Sequence, residues 1–328
     1  MAQADPPSVE ARASALAQAG RGAEAVQLLE DAAAAGDPEP TFILATLKVA
    51  GQMVPRDLDA AKALFGRAAG SGHPDAAHVH AAFVTHGAGG VPDWKQGVAL
   101  LEQLAASDDI AARQLRVIQA MPLTGEGDPQ GLPQPERLSD SPDVVVFRRL
   151  FTEDECAFLV ESAAPLIQPA LVTDRSTGVA TRMPDRTAGT AGFSLMAENP
   201  AVHALNRRLA AASGTTAQQG EPLQVLRYDP GQEYRPHFDI LPPGGNQRCL
   251  TFLVYLNEGY DGGETAFLKT DLKFKGGTGD GILFRNAFAN GDPDPAAYHA
   301  GLPVLSGTKM LASRWIREKP VNLYNPLL

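Results

Sequence analysis

The stretch Tyr234-Arg-Pro-His-Phe-Asp239 decides how the rest of the sequence is organised. The residues before it, 223–228, are rich in strand-forming types and predict an extended backbone. Residues i and i+2 of a strand project from the same face, so His237 and Asp239 can direct an imidazole nitrogen and a carboxylate oxygen to one point. His299, much later in the chain, is the natural third member. The pattern predicts a metal site of two histidines and one carboxylate.

This ligand set narrows the chemistry. Two histidines and a carboxylate on one face of a metal, with the other positions open, form the facial triad of non-haem Fe(II) oxygenases. Lys309 follows His299 by ten residues and is a candidate for a buried cation that binds a dicarboxylate. The ligand types alone leave zinc open as another metal. A His-x-Asp is also common in surface turns, and a single histidine can cap a turn, so the prediction depends on the whole assembly.

Further motifs surround these residues in a fixed order. They are Tyr228-Asp-Pro-Gly-Gln-Glu-Tyr-Arg-Pro-His-Phe-Asp239, Arg248-Cys-Leu-Thr-Phe-Leu-Val-Tyr-Leu-Asn257, Gly262-Gly-Glu-Thr265, and His299-Ala-Gly-Leu-Pro-Val304 followed by Gly307-Thr-Lys309 and Trp315. Together they resemble the prolyl 4-hydroxylase family of 2-oxoglutarate- and Fe(II)-dependent dioxygenases, over roughly residues 143–320. The resemblance implies that O₂ and 2-oxoglutarate are consumed, a C–H bond is hydroxylated, and succinate and CO₂ are released.

The resemblance also implies roles for single residues. Fe(II) would be bound by His237, Asp239 and His299, and Lys309 would bind the distal carboxylate of 2-oxoglutarate through a charge-assisted bond. O₂ is the second co-substrate, and ascorbate is a candidate reductant. Further residues are expected around the co-substrate, with core packing as the alternative for each: Tyr228, Tyr255, Thr265 and Trp315.

The substrate rim is expected to contain polar residues at positions that match the family or its substrate loop. These are Tyr234, Arg248, Arg182, Arg186 and Arg317. Arg182 and Arg186 belong to the loop 173–190, whose counterpart in the family folds over the substrate; a solvated loop is the alternative. Arg317 departs from the pattern, because relatives that hydroxylate proline-rich peptides often carry histidine there. A prolyl residue of a peptide or protein is the expected target, and a small molecule or another side chain is the alternative.

The N-terminal part of the chain carries an internal repeat of 36 residues within residues 8–112. Gly36-Asp-Pro38 recurs as Gly72-His-Pro74, and Asp57 recurs as Asp93. The repeat resembles the Sel1-like branch of the tetratricopeptide-type repeats, with two helices per unit that must stack to bury their apolar faces. Its role is open between a surface that presents a partner or substrate and a structural extension of the next domain.

These features predict an α+β chain in three parts. Residues 1–112 form an α-helical repeat array, residues 113–142 form a linker rich in proline and glycine, and residues 143–328 form the catalytic domain. The catalytic domain is expected to be an antiparallel double-stranded β-helix, or jelly roll, with flanking helices. Strands are expected at 223–228, 249–256, 265–268, 282–284, 299–305 and 309–317.

Two helices are expected to flank these strands. Thr152-Glu-Asp-Glu155 is a capping box that begins a helix to about Ala164. Asn199-Pro200 begins another, which continues to Ala211 and turns His203 towards solvent.

Composition excludes several classes of protein. The net charge is −10, and residues up to Pro142 contain 10 basic and 18 acidic side chains, which argues against nucleic acid as the main partner. No apolar run is long enough to span a membrane, and the N-terminus lacks the pattern of a secretory signal. Cys156 and Cys249 are the only cysteines and are expected to be reduced packing residues. A cytoplasmic protein without a membrane partner is expected, and the oligomeric state stays open.

Two further alternatives concern the whole chain. One is a scaffold in which the repeat surface is the function and the jelly roll is inert. The other is a cupin-type sensor that keeps the metal site, although such a sensor would not need Lys309. The histidines of the repeat region are distributed around a helix and its loops, so no metal site is expected from His73, His78, His80 and His86.

Overall fold

The structure is a computed structural model that describes residues 7–173, 180–182, 186–242, 245–288 and 290–321. Side chains are described for all of these except 171–173 and 180–182. The described residues fall into two compact units. The first comprises 7–116 and 195–203, and the second comprises the remaining described residues between 117 and 321.

The first unit consists mainly of helices that recur at the predicted interval. Every second helix begins 36 residues after the one before it, at Gly22, Leu58 and Trp94. The helices between them begin at Pro38 and Pro74, which are also 36 residues apart. The helices are α1 (Val9–Gln18), α2 (Gly22–Ala34), α3 (Pro38–Ala50), α4 (Leu58–Gly70), α5 (Pro74–His86), α6 (Trp94–Ala105) and α7 (Asp109–Ala120).

The helix ends show why the repeat has this length. The Asp57 and Asp93 side chains accept hydrogen bonds from the backbone N–H groups of Ala60 and Gln96, which caps α4 and α6 at equivalent positions. Gly51 and Gly87 end α3 and α5 in the left-handed region, at φ of 66° and 79°. The apolar faces pack into two clusters of buried side chains, and Phe65 and Phe83 of the larger cluster are fully buried.

The second unit is built on antiparallel strands. Its helices α8 (Glu153–Ala163) and α9 (Pro200–Ser213) flank the sheets in sequence, and α8 begins with the predicted capping box of Thr152 and Glu155. Its strands are β1 (Glu136–Asp140), β2 (Asp143–Phe147), β3 (Gln168–Pro169), β4 (Leu171–Thr173), β5 (Ala180–Arg182), β6 (Gly189–Gly192), β7 (Gln224–Tyr228), β8 (Tyr234–His237), β9 (Arg248–Tyr255), β10 (Asp261–Gly262), β11 (Thr265–Phe267), β12 (Lys273–Phe274), β13 (Gly281–Arg285), β14 (His299–Gly301), β15 (Val304–Ser306) and β16 (Lys309–Arg317).

Two of the sheets form the jelly roll. The larger sheet has the order β1-β2-β13-β9-β16-β7-β6-β3, and the smaller has the order β12-β11-β14-β8. One apolar core draws side chains from both sheets, with Leu226, Leu253, Ile282 and Leu311 from the larger and Phe267 from the smaller. The predicted fold class, helical repeats followed by an antiparallel jelly roll, is confirmed.

Three details differ from expectation. The segment 113–142 is not irregular throughout, because α7 continues to Ala120 and β1 pairs with β2. His203 is buried rather than solvent-facing: its ring centre lies 6.1 Å from that of His86, and its Nδ1 lies 2.8 Å from the Glu198 carboxylate. The predicted strand 299–305 is divided into β14 and β15, which pair in different sheets. None of the described helices has the length and apolar character needed to cross a membrane.

Candidate active site

The two histidines and the aspartate of the predicted metal site lie together. β14 pairs with β8, and the register places His299 directly opposite His237. Asp239 follows β8 by two residues, and its carboxylate oxygens lie 3.4 Å from Nε2 of His237 and 3.6 Å from Nε2 of His299. One ligand atom from each of the three residues lies within 4.8 Å of the other two, and no other such cluster of three occurs among the described residues.

Backbone carbonyls fix how both imidazoles are oriented. Nδ1 of His237 donates to the Arg235 carbonyl at 2.7 Å, and Nδ1 of His299 donates to the Ala297 carbonyl at 2.9 Å. A neutral imidazole whose Nδ1 carries the proton has its lone pair on Nε2. Both lone pairs therefore face the Asp239 carboxylate, and three electron-pair donors converge on one point. A divalent cation fits this arrangement, since it alone would turn three mutually repelling acceptors into ligands.

Asp239 is held by a second pair of polar residues. The Thr251 hydroxyl donates to the carboxylate at 2.8 Å, and the Asn286 amide donates to the Thr251 hydroxyl at 2.9 Å. Burial alone raises the pKa of Asp239, but its contacts with His237, His299 and the Thr251 hydroxyl together hold this pKa below its ordinary value. The carboxyl is therefore an ionised group whose orientation is set by hydrogen bonds.

His299 is enclosed by aromatic side chains. The rings of Phe267 and Phe284 lie 5.8 Å and 4.8 Å from its ring, and the side chain is almost fully buried. Burial lowers the pKa of His299 to about 4, although the Asp239 charge opposes the shift. The imidazole is therefore neutral near neutral pH, which is the state that binds a metal.

Lys309 forms the other end of the site. Its Nζ donates to the Gly263 carbonyl at 2.7 Å and lies 5.4 Å and 5.2 Å from the ring centres of Tyr228 and Tyr255. No described residue forms a salt bridge with this buried ammonium. Burial lowers the pKa of Lys309 to about 7, against the smaller opposing effect of the Glu264 charge. An entering carboxylate would supply the missing partner.

The Gly262-Gly263 pair makes this contact with the carbonyl available. Both residues have positive φ, 69° and 71°, which side chains other than glycine rarely adopt. A Cβ on Gly263 would lie 3.2 Å from Cδ of Lys309, so a larger residue here would also crowd the lysine stem.

One pocket joins the two ends. It contains about 400 Å³ of space free of atoms, including open solvent at its mouth. The lining residues come mainly from strands of both sheets and include the metal-site cluster, Lys309 and several of the predicted neighbours: Tyr228, Tyr234, Thr265, Trp315 and Arg186.

Tyr255 lies behind the pocket wall instead of lining it. Its hydroxyl lies 3.0 Å from the Thr265 hydroxyl and donates to the Phe274 carbonyl at 2.9 Å. The ring therefore supports Lys309 and Thr265 from the core side. Tyr234 stacks on His237, with ring centres 3.5 Å apart, and covers that ligand from the pocket side.

The arginines of the predicted rim are separated. Arg248 makes two hydrogen bonds, of 2.6 Å and 2.7 Å, with the Glu221 carboxylate and lies over the Trp315 ring. Arg317 shares the same carboxylate and also donates to the Asn246 carbonyl at 2.6 Å. Neither arginine is part of the pocket wall, whereas Arg186 is. The side chain of Arg182 lies outside the described part of the structure.

Comparison with known proteins places this site in a family. The 2OG-Fe(II) oxygenase superfamily matches residues 223–317. Prolyl 4-hydroxylase 1 of Arabidopsis thaliana is 33% identical over 205 residues, which cover 57% of this chain and 72% of the plant protein. The chain belongs to the prolyl 4-hydroxylase family of 2-oxoglutarate- and Fe(II)-dependent oxygenases. The chain is therefore a dioxygenase, and its family uses Fe(II), 2-oxoglutarate and O₂.

Two solved structures are also similar. The viral collagen prolyl hydroxylase of Paramecium Bursaria Chlorella virus-1 shares 27% identity, covers 55% of this chain and 98% of its own, and has a TM-score of 0.44. A Sel1 repeat protein from Oxalobacter formigenes shares 26% identity, covers 33% of this chain and 87% of its own, and has a TM-score of 0.30.

Several residues of the site were missed by sequence reasoning. Thr251 and Asn286 orient Asp239, and Glu221 joins Arg248 to Arg317. Thr251 had a weak signal, because it is a polar residue on the inward face of an otherwise apolar strand, two residues before Leu253. Asn286 and Glu221 had no such signal, because their partners are far away in the sequence.

Proposed function

We propose that this chain hydroxylates a prolyl residue of a peptide or protein, with Fe(II) bound by His237, Asp239 and His299. The observation that carries the proposal is the single pocket in which these three groups and the unpaired Lys309 ammonium face the same space. A metal-binding sensor has no use for a buried cation beside the metal site. A dicarboxylate co-substrate that also reaches the metal accounts for both ends.

The reaction balances without a protein acid or base. 2-Oxoglutarate, O₂ and R–H give succinate, CO₂ and R–OH, so one oxygen atom enters the new carboxylate and the other enters the product. Bound Fe(II) supplies the oxygen activation and the abstraction of hydrogen from an unactivated C–H bond. The chain supplies position: Lys309 holds the distal carboxylate, Thr265 and Tyr228 border it, and Trp315 limits the entry of water.

Each residue at the two ends has a distinct electrostatic task. Asp239 is the anionic ligand, and Thr251 keeps its second oxygen occupied so that one face remains for the metal. The two histidines present neutral nitrogens because their other nitrogens are bound to backbone carbonyls. The Lys309 ammonium becomes fully paired only when the co-substrate is bound, so co-substrate binding removes an electrostatic cost already present in the free chain.

The relatives support the choice of substrate. The similar plant proteins are named prolyl 4-hydroxylases. Arg317 is held by Glu221 and the Asn246 carbonyl and does not face the pocket, so its presence does not block the entry of a peptide. A small molecule or another side chain remains the second candidate, because Arg186 lines the described pocket wall and a neutral proline-rich peptide does not require this charge.

Mass spectrometry of peptides tests the proposal. Proline-containing peptides are incubated with the full chain, Fe(II), 2-oxoglutarate and O₂, and succinate is measured in parallel. A mass gain of one oxygen on proline, dependent on 2-oxoglutarate, is the expected result. Succinate release without a product on any peptide would retain the oxygenase chemistry and remove the prolyl target. No succinate under any condition would favour the inert scaffold.

We also propose that residues 1–112, 113–142 and 143–328 act as repeat array, connector and catalytic domain. The array is proposed to recruit a macromolecular substrate, with a structural extension as the alternative. Limited proteolysis of the full chain checks the division, and a stable fragment that begins between residues 113 and 142 is expected. First cleavage inside the repeat helices would contradict it.

A further inference from the structure

The pocket contains a second buried cation whose role the metal site and Lys309 leave unexplained. Arg186 lines the pocket and is only 5% exposed. Its guanidinium lies 5.2 Å from the ring centre of Tyr234 and 6.0 Å from that of Trp315. Tyr228 lies between the two cations, since it contacts both Lys309 and Arg186. Arg186 therefore faces the part of the pocket beyond the co-substrate lysine.

All polar partners of Arg186 within the described residues are neutral. Nη1 and Nη2 approach the Gln224 amide oxygen at 3.5 Å and 3.4 Å, which are long contacts, and the third partner is the Tyr228 hydroxyl. Nε is buried and has no hydrogen-bond partner in the part of the chain that the structure describes. A buried guanidinium without a carboxylate is costly, so an arrangement that keeps one beside an open pocket points to an anion that arrives from outside.

A neighbour of Arg186 also lacks a partner. Nε1 of Trp315 is buried and has no hydrogen-bond partner among the described residues, and Trp315 is 8% exposed and lines the same pocket. Two N–H donors are therefore available for a ligand rich in acceptor oxygens.

The surrounding charges favour an anion over a neutral carbonyl. Arg248 lies 3.7 Å above the Trp315 ring and shares the Glu221 carboxylate with Arg317. Among the described side chains, Arg248 and Arg317 share the Glu221 carboxylate, and the other carboxylate of this pocket, that of Asp239, faces the two histidines instead of Arg186. A carboxylate forms stronger, charge-assisted bonds to guanidinium than a peptide carbonyl does.

We infer that Arg186, with Trp315, forms an anion subsite that selects peptides carrying a carboxylate side chain next to the hydroxylated residue. The inference rests on the proposed function, because it assumes a peptide substrate. It narrows that substrate to an acidic peptide. The co-substrate is a competing occupant, since 2-oxoglutarate also carries carboxylates, and the test separates the two.

Binding to the metal-free chain tests the subsite without turnover. The chain has two tryptophans, so Trp94→Phe leaves Trp315 as the only fluorescent reporter of the pocket. Three blocked peptides of equal length are titrated, with a central proline flanked by glutamate, glutamine or lysine. Glutamate peptides are expected to bind about tenfold more tightly than glutamine peptides, which is the difference between a charge-assisted and a neutral hydrogen bond, and lysine peptides most weakly.

Two variants locate the preference. Arg186→Gln should remove the distinction between glutamate and glutamine, and Arg186→Lys should retain part of it. Arg137→Gln is the matched control, because Arg137 lies on β1 of the same sheet, is exposed, and pairs with Asp143 at 2.8 Å outside this pocket. The control should keep the full preference. Calorimetric titration of 2-oxoglutarate into Mn(II)-loaded protein should give the same affinity in the parent chain and in Arg186→Gln.

Other outcomes would overturn the inference. Equal binding of the three peptides by the parent chain would do so without any variant. An equal loss of affinity for all three peptides in Arg186→Gln would mean that Arg186 contacts the peptide backbone. A loss of 2-oxoglutarate affinity alone would mean that Arg186 binds the co-substrate. Hydroxylation assays then separate the two proposals: a glutamate preference in binding with no hydroxylated proline would retain the subsite and remove the prolyl function. Hydroxylation of proline without a charge preference would do the reverse.

Discussion

Histidines of the repeat unit and of the jelly roll both lie near carboxylates, but their two ring nitrogens make different contacts. In the repeat unit, Nε2 of His73 lies 3.0 Å from the Glu39 carboxylate, and Nδ1 accepts a hydrogen bond from the Ala76 N–H. In the jelly roll, Nδ1 of His237 and of His299 donates to a backbone carbonyl, and Nε2 faces Asp239. The first pattern uses both ring nitrogens in protein contacts, whereas the second leaves a lone pair on each ring.

The difference in nitrogen contacts separates a structural histidine from one that is able to bind a metal. His86 shows the repeat pattern again, because Nε2 donates to the Leu195 carbonyl and Nδ1 accepts from the Ala88 N–H. A histidine with both nitrogens engaged caps or joins elements, whatever carboxylate is nearby. A cation fits when the free Nε2 lone pairs of two histidines converge on one carboxylate, as they do at Asp239.

Removal of the carboxylate is the strongest test of this comparison. Asp239→Ala deletes the one anionic ligand and the group on which both lone pairs converge, so Fe(II) binding and succinate formation should fall below detection. Anaerobic Fe(II) titration and a succinate assay measure the two effects. His78→Gln is the control, because its Nε2 also lies 3.0 Å from a carboxylate, that of Asp108. If Asp239→Ala kept iron-dependent succinate formation, or His78→Gln lost it, the comparison would fail.

Lys309→Ala should give the next largest effect. It leaves the distal carboxylate of 2-oxoglutarate unpaired in a buried site, which costs about 3–5 kcal/mol. The apparent constant for 2-oxoglutarate should therefore rise by about a hundredfold or more, while Fe(II) affinity is kept. Lys273→Ala removes an exposed lysine of the smaller sheet and should change neither value. An unchanged constant in Lys309→Ala would move the anchor to another cation, with Arg186 as the first candidate.

The sequence predicted those parts of the site that local rules govern. His237 and Asp239 follow the two-residue period of a strand, and the lysine follows a recognisable motif. The prediction for His203 was wrong because its solvent-facing position was inferred from helix periodicity alone. Periodicity did not reveal the contacts of this buried side chain with Glu198 and His86. The loop arginines differ: Arg186 is described in the pocket wall, while the side chain of Arg182 lies outside the described residues, so its role stays a prediction.

Contacts between distant strands could not be predicted in this way. Thr251 is twelve residues from Asp239 and thirty-five from Asn286 in the sequence, and the pairing of β9 with β13 brings Thr251 next to Asn286. The ends of helices and strands were hard to predict for another reason. The repeat period is lost after residue 112, but α7 continues to Ala120 because helix formation needs local bonds and not the period.

Thr251→Val should give a smaller effect that sharpens the comparison. It preserves the shape of the side chain and removes the hydroxyl that orients Asp239, so metal affinity should fall by about tenfold to a hundredfold. Thr41→Val is the matched control: Thr41 is equally buried in the repeat unit, but its hydroxyl bonds to the Asp37 carbonyl and not to a ligand. Equal Fe(II) affinity in both variants would show that the hydroxyl does not tune the metal.

The smallest expected effect is the pH dependence of the repeat unit. Burial lowers the pKa of His80 and of His86 in the folded chain, with the Lys62 charge adding to the effect at His80. The unfolded chain therefore binds protons first as the pH falls through the ordinary imidazole pKa of about 6.5. The stabilisation by neutral imidazoles is complete above that pH and is lost below it. The repeat unit should thus be less stable at about pH 5.5 than at about pH 7.5.

Trp94 makes this measurement specific to the repeat unit, because it begins α6 and Trp315→Phe leaves it as the only tryptophan. Urea midpoints from its fluorescence are compared at the two pH values, for this chain and for one that also carries His80→Gln and His86→Gln. The double substitution should lower stability at both pH values and flatten the difference between them. Asp108 contributes at lower pH, because its own pKa is below the ordinary carboxyl value, even though burial opposes that shift. The urea midpoint could instead rise on acidification, or its dependence on pH could be unchanged by the double substitution. Either result would assign the titration to groups other than these two histidines.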